Sequence, residues 1–147
     1  MTDATESLTE WFWARHSNPW SAGTRFAIMP LLLSSIYYRR WRLLGGVIGF
    51  TLLNPVMFPE PERTDNWLSE AVLAERWWYE GGHTSFEPRF PSLLNYLSVP
   101  ATVLALYGAI RRRPRLTVVG GVCAMLLKVW FVDELVGRYR DADDDSA

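Results

Sequence analysis

"LTVVGGVCAMLLKVWFVDELVGR", residues 116–138, is the stretch on which the fold turns. Its first seventeen residues are free of charge except for Lys128, and two acids, Asp133 and Glu134, follow directly. As a helix those residues reach roughly 25 Å, close to the thickness of a hydrocarbon core. A second run, 90–110, carries no charge at all between Arg89 and Arg111. Two shorter runs lie upstream, "LLGGVIGFTLLNPVMF" (43–58) and "FAIMPLLLSSIYY" (26–38). The second reaches spanning length only if its helix begins near Trp20. The mean hydropathy of −0.02 hides this pattern, because the apolar residues come in blocks. Charge-free runs this long point to an all-α, four-transmembrane-helix bundle with spans at 22–38, 43–58, 91–110 and 116–136.

The four segments form two hairpins, each joined by a compact arginine cluster. Arg39, Arg40 and Arg42 make the first, and Arg111, Arg112, Arg113 and Arg115 the second. Neither contains an acid. Short, arginine-dense loops stay in the cytoplasm, which puts both termini and the 59–89 loop outside a multi-pass protein of the cell membrane. The same seven arginines are candidates for anionic lipid head groups.

Two short amphipathic helices are expected at the outer interface. Residues 7–16 start with a capping-box pattern, Ser7 to Glu10, and continue with Leu8, Trp11 and Phe12 at helical spacing. Residues 65–80 repeat the theme, with Asp65 or Asn66 as cap and Trp67, Ala71, Ala74 and Trp78 as the apolar stripe. The "GGVIG" and "GGVCA" stretches (45–49, 120–124) place small residues four apart, a spacing that lets helix backbones approach. On that basis the second and fourth spans are expected to be neighbours. The acidic segment 139–147 reads as a solvated, disordered tail.

Several function classes find little footing. The net charge of −1 leaves no surplus of cation for tracking nucleic-acid phosphates. The single cysteine, Cys123, excludes an internal disulfide. Acids at Asp3, Glu6 and Glu10 precede the first apolar residues, unlike a secretory signal. His16, Glu75 and His83 all fall on the outer side, but at no metal-binding spacing. No metal, cofactor or catalytic residue is expected, and the chain is not read as an enzyme.

Lys128 is the residue that demands an account. It lies five residues before Asp133, roughly 7–8 Å along the helix. Helix side chains lean toward the N-terminus, so snorkelling outward works against the backbone. An unpaired ammonium in lipid costs at least about 3 kcal/mol. Lys128 should therefore face the bundle, and Asn54, at equivalent depth, is its expected partner. The pair is either a structural clamp or part of an ion or proton site. Pro30 and Pro100, near mid-span, are expected to break their helices and open a polar pocket.

Four blocks, "FWARHSNPWSAGTRF" (12–26), "LLNPVMFPEP" (52–61), "LALYGAIRRRP" (104–114) and "LLKVWFVDELV" (126–136), resemble a family of small, uncharacterised integral membrane proteins of archaea and bacteria. The resemblance covers nearly the whole chain and implies a polytopic membrane protein, with no catalytic residues to carry over. The expectation is a non-catalytic membrane subunit or scaffold. Its partners are the lipid bilayer and a membrane protein or further copies of the chain. The alternative is an oligomeric carrier or channel with Lys128 and Asn54 in its pathway.

Overall fold

The computed structural model describes residues 2–145, and among them every regular element is helical. The order is α1 (Thr2–His16), α2 (Pro19–Tyr37), α3 (Trp41–Met57), α4 (Trp67–Glu80), α5 (Ser92–Ile110) and α6 (Pro114–Asp144). Local chemistry sets several boundaries. Asn18 Oδ1 accepts from the Trp20 amide at 2.9 Å, and Pro19 takes the first helical position, where its missing N–H costs nothing. Asn66, not Asp65, caps α4 by accepting from the Ser69 amide. Ser7 caps nothing, because α1 already runs from Thr2.

α2–α3 and α5–α6 are antiparallel hairpins that turn in the same way. The Arg40 amide donates to Ser35 O and the Arg39 amide to Ile36 O; Arg113 donates to Gly108 O and Arg112 to Ala109 O. Each turn thus closes with a paired 6→1 and 5→2 bond around an arginine of positive φ, Arg39 at 57° and Arg112 at 53°. Arg39 Nη2 also donates to Ile110 O at 2.8 Å, which ties the two arginine loops together at one end of the molecule.

α5 and α6 make the tightest pairing. A Cβ on Gly108 would lie 2.5 Å from Thr117 N, and one on Gly120 would lie 2.7 Å from Ala105 N. Gly121 instead backs onto Leu33 of α2. The expected pairing of the second and fourth spans does not occur. A Cβ on Gly45, Gly46 or Gly49 of α3 would meet nothing within 4 Å. Small-residue spacing allows close approach but does not name the partner. The chain connection does so here, because the short Arg111–Arg113 turn holds α5 beside α6.

α4 lies across the C-terminal half of α6 with the expected stripe inward. Ala71, Ala74 and Trp78 join Leu94, Phe131, Leu135 and Val136 in one core, with Trp67 packed on it. A smaller core joins Leu33 to Ala105 and Ala109. Pro30 and Pro100 sit inside unbroken α2 and α5. One turn on, the Ser34 hydroxyl donates to Pro30 O at 2.6 Å.

The segment read as a disordered tail is helical through Asp144; residues 146 and 147 lie outside the described residues. Tyr139 meets Trp77 edge to face, Arg140 pairs with Glu70, and Arg138 lies over Phe90. Those contacts hold the last turns of α6 despite their acids. Among the described residues two helices, α5 and α6, are long and apolar enough to cross a membrane. α3, at 17 residues, is shorter.

Candidate functional site

Polar residues concentrate where α1, α2 and α3 meet, below α4. Asn54, fully buried on α3, makes three side-chain contacts with α2. Its Oδ1 accepts from Ser21 Oγ at 2.9 Å and from Arg25 Nε at 3.3 Å, and its Nδ2 donates to Thr24 Oγ1 at 2.9 Å. Asn18 Nδ2 donates to Pro59 O and Arg15 Nε to Val56 O, so the α1–α2 elbow is clamped to the end of α3.

Arg25 organises this node. Its Nη2 donates to His16 Nδ1 at 3.0 Å and to His16 O at 3.3 Å. A guanidinium has no acceptor, so His16 Nδ1 must be unprotonated and the ring neutral, with its proton on Nε2. Burial, and then the Arg25 charge, push the His16 pKa down to about 4, against a smaller opposing pull from Glu75. His16, the last residue of α1, is therefore an acceptor for Arg25.

Lys128 does not meet Asn54. Its Nζ donates to Glu75 Oε1 at 2.9 Å and lies 5.0 Å from the Phe131 ring centroid. The lysine side chain is 46% exposed, whereas Glu75 is only 16% exposed. The expected pairing fails because Asn54 is held at the α2–α3 seam while Lys128 lies on α6. The acid comes from α4, 53 positions earlier in the chain.

Arg25, Glu75 and Lys128 all line a cavity of about 250 Å³ between α2, α4, α5 and α6. Its other walls are largely apolar, among them Phe26, Met29, Leu68, Met125 and Val132. Asn54 is not among its lining residues. A second cavity, of about 390 Å³, continues along α2 and α6 through the shared Met29 and Met125 to Tyr37 and Pro114. Its lining carries no charge.

The remaining residues singled out in the sequence stand apart from this node. His83 stacks on Trp78 with centroids 4.1 Å apart. Among the described residues no three His, Cys, Asp or Glu side chains converge as metal ligands. The seven loop arginines are all exposed. Sequence reasoning misses Arg25, Ser21 and Thr24. The signal was there, because Arg25 is the single charge inside the 22–38 segment.

The chain belongs to a family of unknown function, DUF6653, whose model matches residues 3–147. No curated protein and no solved structure matches it.

Proposed function

We propose that the chain is a multi-pass protein of the cytoplasmic membrane, in which α2, α3, α5 and α6 cross the bilayer and no catalysis takes place. One observation carries this reading. The apolar windows of α5 and α6 are only 28% buried within the protein, where the core helix of a soluble domain would be mostly buried. Val99, Val103 and Leu104 on α5 and Val118, Val119 and Leu126 on α6 all point outward. Leu52 and Leu53 do the same on α3. Large apolar side chains exposed along three helices are costly in water, whereas lipid accepts them. Arg25, the charge inside α2, is tolerable in this setting because His16, Ser21 and Asn54 accept from its Nη2 and Nε.

In this reading the joined arginine loops face the cytoplasm and meet anionic head groups, while α1, α4 and their tryptophans lie at the outer interface. The bare glycine face of α3 suits a partner helix, from another membrane protein or a further copy, and gives the chain its role as a subunit or scaffold. Transport through Lys128 and Asn54 finds less support, since the two are not in contact and only Lys128 lines the cavity.

Cysteine labelling tests the arrangement. In a Cys123→Ser background, a membrane-impermeant maleimide added to intact cells should label Glu62→Cys and spare Arg113→Cys. Lysis should then expose Arg113→Cys. Labelling of Arg113→Cys in intact cells would overturn the topology.

A further inference from the structure

The cavity at Lys128 and its continuation toward Tyr37 have the form of a groove with one charged end. Measured along α6 from Lys128 to Pro114, or along α2 from Arg25 to Tyr37, it is roughly 20 Å long. Its charged lining is confined to the α4 end, where two cations, Arg25 and Lys128, face one acid, Glu75, and leave a net charge of +1. Lys128 has three donors, and Glu75 takes one of them. Arg25 Nη1 has no partner among the described residues, although no buried side-chain nitrogen or oxygen there lacks one. That nitrogen is therefore accessible, and Arg25 lines the cavity.

We infer that this groove binds a single-chain amphiphile carrying one negative charge, of the long-chain carboxylate class, with its head at Lys128 and Arg25 and its chain running between α2 and α6 toward Tyr37. The inference rests on the membrane reading above, which supplies such molecules at the groove. Charge selects the head. A net +1 site in an apolar wall favours a monoanion over a neutral or cationic head. Size selects a single chain, since cavities of a few hundred Å³ match a drug-sized ligand rather than a double-chained lipid. Met29 and Met125, at the junction of the two cavities, give the wall the flexible thioethers that adapt to an irregular chain. Glu75 is the internal competitor, holding Lys128 until a carboxylate arrives.

Binding of palmitate to the purified protein in a nonionic detergent tests this, with 1-hexadecanol and phosphatidylglycerol as companion probes. Palmitate should bind at one per chain. Lys128→Gln removes a charge-assisted hydrogen bond and should weaken binding about tenfold, and 1-hexadecanol should be weaker by a similar factor. Glu75→Gln should tighten it, because it frees Lys128; a merely structural ion pair predicts the opposite sign. Arg63→Gln, exposed and lining neither cavity, should leave affinity unchanged. Equal binding of hexadecanol, equal competition by phosphatidylglycerol, or a loss in Arg63→Gln matching that in Lys128→Gln would overturn the assignment. So would the absence of any palmitate binding, and that result would leave the topology, tested by labelling, standing. Conversely, a failed labelling pattern with intact palmitate binding would remove the membrane reading alone.

Discussion

Gly120→Val is expected to open the α5–α6 hairpin and leave little folded protein. The new Cβ would fall 2.7 Å from Ala105 N and 2.9 Å from Ala101 O, both backbone atoms that cannot swing aside. Overpacking a tight interface costs about 1–3 kcal/mol when side chains can yield. Here a whole helix must move, so the loss should reach at least the top of that range. Gly46→Val is the matched control. Its Cβ meets nothing within 4 Å, and the stability of the isolated protein should change by no more than about 0.5 kcal/mol. Thermal unfolding of both variants in detergent checks the contrast. Similar losses at the two positions would mean that the close pairing has been assigned to the wrong helix.

The second large effect is expected at Asn54. Asn54→Leu keeps the branched shape but strips Ser21, Thr24 and Arg25 of a partner at once. A buried polar group left unpaired costs about 1–3 kcal/mol and a charged one more, so a net loss of about 3 kcal/mol follows. The same node sets a pH dependence. The folded His16 pKa lies near 4, below the ordinary 6.5, so the unfolded chain takes up the proton first as the pH falls. The contribution of His16 is complete above pH 6.5, declines between 6.5 and about 4, and changes no further below that. Melting curves from pH 7.5 to 4 should show this slope, and His16→Gln should flatten it. An unchanged slope in His16→Gln would remove the histidine from the node.

Much of the architecture could be read from the chain because charge-free runs and arginine-dense turns are local signals. Both hairpin turns fall at the arginine clusters, and the α4 stripe faces inward as its spacing requires. Pairing between elements was harder to read. The glycine pairs of α3 and α6 look alike in sequence, yet one meets α5 and α2 while the other is bare. Gly108, whose contact with Thr117 is the closest of all, is a lone glycine in "LALYGAI" and gives no pattern to recognise. Long-range polar partners were the least legible. Lys128 needs an acid, but nothing local marks Glu75 over the other acids of the chain, and only the crossing of α4 over α6 brings them together. Arg25 is a weak signal because it lies near the start of the 22–38 segment, just before the charge-free run 26–38. The acidic end of α6 misled because Tyr139 and Arg140 find Trp77 and Glu70 on another helix.

Lipid exposure of α5 and α6 is the central claim, and collision of nitroxide side chains with two relaxing agents measures it directly. Labels at Val103, Val119 and Leu126 in reconstituted bilayers should collide often with oxygen, which concentrates in hydrocarbon, and rarely with a water-soluble nickel chelate. Labels at Glu62 and Arg113 should show the reverse. High chelate accessibility at Val103 and Val119, matching that at Arg113, would place those helices in water and contradict the account.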